Sequence, residues 1–256
     1  MAAETLTYHG TEGRVAEYRL TVTATGEQES LGVQRPINVE LKYVLREQVQ
    51  PTSAEGNYTV QLSGQVVSMK DKTSAFGSQR FDLPPMNMQL SPRGEMLSSA
   101  FADAQKATLS TRAFTSLLAQ PPQVILPEGP VEVGATWEWS KDGATQSNRL
   151  QEILESPRRI ARIATAEHTP VALHEASMPL GLHTEVAGQE DATGTMDFSP
   201  ELGLALRHQG KSTVQADTKV TLEAADGTHS FSMHLNLRIT FDLQLLRVDG
   251  TVVPSS

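Results

Sequence analysis

Apolar and polar residues alternate along much of this chain. The pattern is clearest where Phe231, Met233, Leu235, Leu237, Ile239, Phe241, Leu243 and Leu245 interleave with Ser232, His234, Asn236, Arg238, Thr240, Asp242 and Gln244. Successive side chains of an extended backbone point to opposite faces, so a period of two predicts a strand with one buried and one wetted face. At about 3.3 Å per residue this strand runs roughly 50 Å, longer than usual, and a sheet containing it must bend or coil to stay packed.

The same alternation recurs in Tyr18, Leu20 and Val22; in Ile37, Val39, Leu41, Tyr43 and Leu45; and in Tyr58, Val60 and Leu62. It continues through Met86, Met88 and Leu90, then through the pairs Trp137 with Trp139, Met196 with Phe198 and Val220 with Leu222. Thr25-Gly26, Glu55-Gly56-Asn57, Asp142-Gly143, Ala192-Thr193-Gly194 and Asp226-Gly227 are spaced as hairpin connections. Strands joined by short turns are antiparallel, an arrangement that leaves one face free for water. Met88-Gln89-Leu90-Ser91-Pro92 is echoed by Met196-Asp197-Phe198-Ser199-Pro200, each soon followed by Gly94 or Gly203, which is either the mark of two similar halves, 1–120 and 121–256, of a single domain or a coincidence of two common Ser-Pro turns.

One stretch departs from the pattern. Between Ser99 and Gln120, Phe101, Ala104, Ala107, Phe114, Leu117 and Leu118 recur at helical spacings before Pro121-Pro122. The expectation is an all-β fold of about ten long antiparallel strands, half-barrel or sandwich-like, curved as two sheet halves around this one main helix.

Composition narrows the functional classes. A formal net charge of −9 disfavours a polyanionic partner, so no nucleic-acid ligand is expected, and Arg158, Arg159 and Arg162 are read as a solvated strand end. With no cysteine there is neither a disulfide nor a thiolate site. No apolar run is long enough for a membrane-spanning helix.

Candidate chemistry is thin. Gly210-Lys211-Ser212-Thr213 has the tail of a phosphate loop but lacks its earlier glycine, which is Ala205 here, and is read as a charged turn. The seven histidines show no metal-ligand spacing and are read as scattered on the surface. Glu190, Asp191 and Asp197 lack a graded cation-loop spacing and are read as a polar turn. No catalytic residue, metal or cofactor is assigned. Trp137 and Trp139, two apart, face the same way. Together with Phe101, Phe114, Leu117 and Leu118 of the expected helix they are the candidate ligand-binding residues.

Leu126-Pro127, Pro130-Val131, Val133-Gly134 and Thr136-Trp137, with Ser91-Pro92-Arg93-Gly94-Glu95-Met96 upstream, resemble segments of uncharacterised bacterial extracytoplasmic β proteins. At the level of fold the chain is similar to half-barrel lipoprotein carriers, whose curved sheet wraps helical elements around an apolar cavity. These resemblances imply a periplasmic or secreted protein, with a cytoplasmic one as the alternative, and a non-enzymatic binding or carrier-like role with a hydrophobic or lipid-like ligand. The alternative role is an envelope structural or interaction module with a filled core and an envelope protein as partner.

Overall fold

In the computed structural model the alternating stretches become strands of one antiparallel sheet. The structure describes residues 3–50, 56–72, 81–102, 123–155, 158–177, 182–224 and 227–253. The strands are β1 (Val15–Ser30), β2 (Val33–Val49), β3 (Tyr58–Asp71), β4 (Phe81–Leu90), β5 (Met96–Phe101) and β6 (Thr136–Lys141). They are followed by β7 (Ala144–Leu154), β8 (Ile160–Ser177), β9 (Leu182–Ser199), β10 (Leu204–Ala224), β11 (Gly227–Val248) and β12 (Thr251–Val252). Among the described residues there are twelve strands, where about ten were expected, and the sheet is continuous rather than split, in the order β5-β4-β3-β2-β1-β11-β10-β9-β8-β7-β6 with β12 beside β11.

The chain therefore starts at the centre, meanders outward through β1–β5, crosses to the far edge at β6, and meanders back to β11 against β1. This makes two wings. Their inner faces contribute to a single core: Leu20, Leu41, Tyr43 and Val66 from one, Leu150, Ile163, Met196 and Phe198 from the other. The sheet coils to bring the two faces together, as expected for strands as long as the 22 residues of β11. The facing deduced from the sequence holds in that strand: Leu237, Ile239, Phe241, Leu243 and Leu245 are buried, whereas Phe231 at its far end is exposed.

Two segments close one end. Residues 4–10 cross between the wings, with Glu4 bridged to Val131, the Tyr8 amide donating to the Pro92 carbonyl and the His9 amide to that of Gly203. Beside them Val124, Ile125 and Leu126, on the connection from β5 to β6, run buried through the core. The Ser-Pro segments noted in the sequence form the turns that receive residues 4–10. Ser91 Oγ accepts from the Arg93 and Glu95 amides, Ser199 Oγ accepts from the Leu202 amide, and Gly94 and Gly203 both take positive φ. The turns are alike, but β4 lies next to one sheet edge and β9 fourth from the other.

The structure corrects several expectations. Ser99–Phe101, the start of the expected helix, is strand: β5 pairs with the free edge of β4, Phe101 opposite Met86. Alternation is missing there because β5 is an exposed edge with almost no buried face. Phe114, Leu117, Leu118 and the remainder of that stretch to Gln120 lie outside the described residues, and no helix occurs among the described ones.

Thr25-Gly26, Ala192-Thr193-Gly194 and Gly210-Lys211-Ser212-Thr213 are strand interiors, not turns. Gly26 answers a need for close approach. A Cβ there would sit 2.0 Å from the Asn236 carbonyl oxygen, so the chain turns five residues later, at Leu31-Gly32. Glu190, Asp191 and Asp197 are likewise in β9, with Asp197 paired to Arg162 at 2.7 Å. Among the histidines, His208 is not on the surface but inside, its ring edge-on to Phe241 at 5.0 Å.

Candidate functional site

The inner faces of the wings enclose a cavity of about 620 Å³. Leu45, Tyr58, Val60, Leu62, Met88 and Leu90 line it from the first wing, and Met196, Leu204, His208 and Leu243 from strands on the other side of the β1–β11 seam. These are the inward members of the alternating stretches, so the pattern that makes the strands also makes the wall. The mouth lies at the two sheet edges, where Met96 and Leu97 of β5 and Trp139, Lys141 and Asp142 contribute to the lining. Met96 and Leu97 are 44% and 41% exposed.

One side of the wall is held by hydrogen bonds to the buried chain crossing. Gln146 accepts from the Ile125 amide at 2.7 Å and donates to the Gln123 carbonyl at 2.8 Å, and Asn148 donates to the Ile125 carbonyl. Tyr8 Oη donates to the Val124 carbonyl at 3.0 Å, and its ring meets Phe198 edge-on. Buried backbone groups must find partners, and these side chains supply them where no strand can.

Polar groups also reach the cavity itself. At the closed end Arg14, Glu47, Tyr8, Tyr18 and Tyr58 converge. Burial pushes the Glu47 carboxyl up to about 7, against the opposing pull of Arg14 and a hydrogen bond from Tyr18. Burial likewise raises Tyr8, Tyr18 and Tyr58, so all three are neutral phenols. Towards the mouth, burial raises the Glu190 carboxyl, partly offset by Ser212.

The sequence-predicted candidates are only partly assembled here. Trp139 lines the cavity, its Nε1 donating to Glu95 Oε1 at 2.6 Å across the gap between the edges. Trp137 is partly buried against the core and donates to the Ile125 carbonyl at 2.7 Å, a packing and anchoring role. Phe101 packs against the core from the β5 edge. Phe114, Leu117 and Leu118 lie outside the described residues. The polar cluster at the closed end was missed, and the available signal was Glu47 itself, a charge following Tyr43 and Leu45 at the period of a buried face.

A larger concavity, about 1340 Å³, lies on the opposite face of the sheet. Register places Thr23, Thr240, Lys211 and Thr193 side by side there, alternating with inward residues. It is a wet trough lined by hydroxyls and by exposed charged side chains such as Asp191, Lys211 and Arg238, and the smaller, mainly apolar inner cavity is the better candidate despite its size. Among the described residues no group of three or more His, Cys, Asp or Glu is placed to hold a metal, and no helix is long and apolar enough to cross a membrane.

Fold and cavity together define an all-β protein whose single open antiparallel sheet coils around an internal, mainly apolar cavity. No family model and no curated protein matches the chain. One solved structure, described as lipid-protein interactions in lipovitellin, aligns with a TM-score of 0.48 and 10% identity over 97% of this chain. This chain spans 26% of that protein's length. A likeness so distant informs neither ligand nor partner.

Proposed function

We propose that this protein binds a hydrophobic or lipid-like molecule in the cavity between its wings and acts as a binding or carrier-like protein rather than a catalyst. The observation that carries this reading is the apolar cavity of about 620 Å³, with its mouth at the sheet edges. Sites for small molecules are typically concave, mostly apolar and roughly 300–1,000 Å³, with a few polar groups to fix orientation. An extracytoplasmic location, implied by the sequence resemblance, belongs to the same proposal and is tested by fractionating the source cells.

Titration with an environment-sensitive apolar dye tests the binding. Leu97→Trp, at the exposed mouth, should report ligand entry by its fluorescence, with the parent titrated in parallel because of Trp137 and Trp139. A cooperatively folded protein that takes up no dye or fatty acid even at millimolar concentration would favour the second reading, a filled-core envelope module. The buried Val124–Leu126 crossing, which already occupies part of the interior, is the observation behind that reading.

A further inference from the structure

We infer that the closed end of the cavity is a head-group site for a single-chain amphiphile bearing a carboxylate, with Arg14 as its cation and Glu47 as the acid beside it. This rests on the binding role proposed above and specifies its ligand. Arg14 stands just before β1, on the inward side shared with Ala16 and Tyr18. Its Nη1 donates to the Leu202 carbonyl at 2.9 Å, which ties the guanidinium to the turn of the opposite wing. Its Nε is buried and has no hydrogen-bond partner, although the residue lines the cavity.

A charged donor kept from water and given no acceptor is costly, and an oxyanion is the group that meets a guanidinium best. The apolar walls running from this end to the mouth suit the chain of the same molecule.

Charge selects among head groups. One guanidinium faces one carboxyl, so a second full negative charge, as on a phosphate monoester, is left uncompensated, and an ammonium is repelled by Arg14. A carboxylate fits when Glu47 is protonated and donates to it, which leaves the bound site neutral. With its carboxyl pushed up to about 7, Glu47 can take up that proton near neutrality. The groups facing it are Arg14 and Tyr18 at β1, Tyr8 from residues 4–10 and Tyr58 from β3, with His208, Glu190, Glu167, Lys141 and Asp142 further along the cavity. The three phenols are neutral donors. Above about pH 7 carboxylate binding then takes up a proton, so it tightens as pH falls towards about 7 and levels off below it.

The test compares dodecanoic acid with 1-dodecanol by displacement of an apolar dye. In the parent, the acid should bind on the order of tenfold tighter than the alcohol. Between about pH 8 and pH 6 the acid's affinity should rise while the alcohol's stays level. Arg14→Met should remove the acid's advantage and leave alcohol binding intact, which also shows that the variant is folded. If Arg14→Met loses both, Glu47→Gln decides, since its acid affinity must become independent of pH over that range.

Equal binding of acid and alcohol by the parent, acid binding that weakens on acidification, or a pH dependence unchanged in Glu47→Gln overturns the head-group assignment while leaving the cavity reading standing. A parent that binds neither probe overturns the cavity reading itself.

Discussion

The two wings solve the same packing problem with different chemistry. The first presents Leu20, Leu41, Tyr43, Leu45, Val60 and Val66, an inner face whose polar groups, Arg14, Glu47, Tyr18 and Tyr58, gather at the closed end. In the second, Leu150, Ile163, Met196 and Phe198 share the inner face with buried Gln146, Asn148, Thr165, His208 and Ser212. Apolar contact is non-directional and tolerates sliding, whereas hydrogen bonds fix a register. Both wings supply apolar cohesion, and the directional bonds to the crossing chain at Gln123 and Ile125 come from the second. The second pins the crossing chain at Gln123–Ile125 and so decides where the cavity wall stands.

The contrast can be broken first in the first wing. Leu41→Asp buries an unpaired charge at a position with 0% exposure and should destabilise by several kcal/mol, read in denaturant melts. Next in size, Gly210→Ala in the second wing places a Cβ 2.4 Å from the Thr193 carbonyl oxygen and 2.7 Å from the Phe241 ring. It should cost about 1–3 kcal/mol. Gln146→Leu strands the Ile125 amide and should cost about 1–3 kcal/mol, with faster hydrogen exchange at Ile125 than at Tyr43; uniform exchange across both wings would erase the distinction.

Glu47→Gln should act through pH. Because the folded-state pKa is raised, its favourable contribution is full below the ordinary carboxyl range and is lost as pH rises to about 7. The variant should therefore gain thermal stability over the parent at pH 8 and lose that gain at pH 4. Arg238→Ser, on the outer face, should stay within about 0.5 kcal/mol.

Much of this architecture is legible in the residues. The alternation in β1, β2, β3 and β11 predicts both strand and facing, because one side of each strand is dry and the other wet. Edge strand β5 escapes detection since neither of its faces is buried along most of its length. Glycines mislead in a sheet this coiled: Gly26, Gly194 and Gly210 sit where a neighbouring strand or Phe241 comes too close for a side chain. The cavity itself is not readable, because it depends on which distant strands face one another once the sheet coils. Trp139 is legible through its aromatic ring and its two-residue spacing from Trp137, whereas Arg14 and Glu47, far apart in sequence order from Leu202 and Met196, give no local motif.

The seam between β1 and β11 joins residues such as Arg19 and Gln244, 225 positions apart along the chain, at the middle of the sheet rather than its rim. A ribosome making this protein releases β1 long before β11, so β1 keeps one unpaired side until β11 has emerged. Each wing can assemble from local hairpins, but the central closure must pay for a very long loop and should form late and slowly. Pulse-labelled hydrogen exchange during refolding should then protect the β2–β3 amides before those bonded across the seam. The interval between the two events is the time during which an open β1 edge is a hazard for association with other nascent copies.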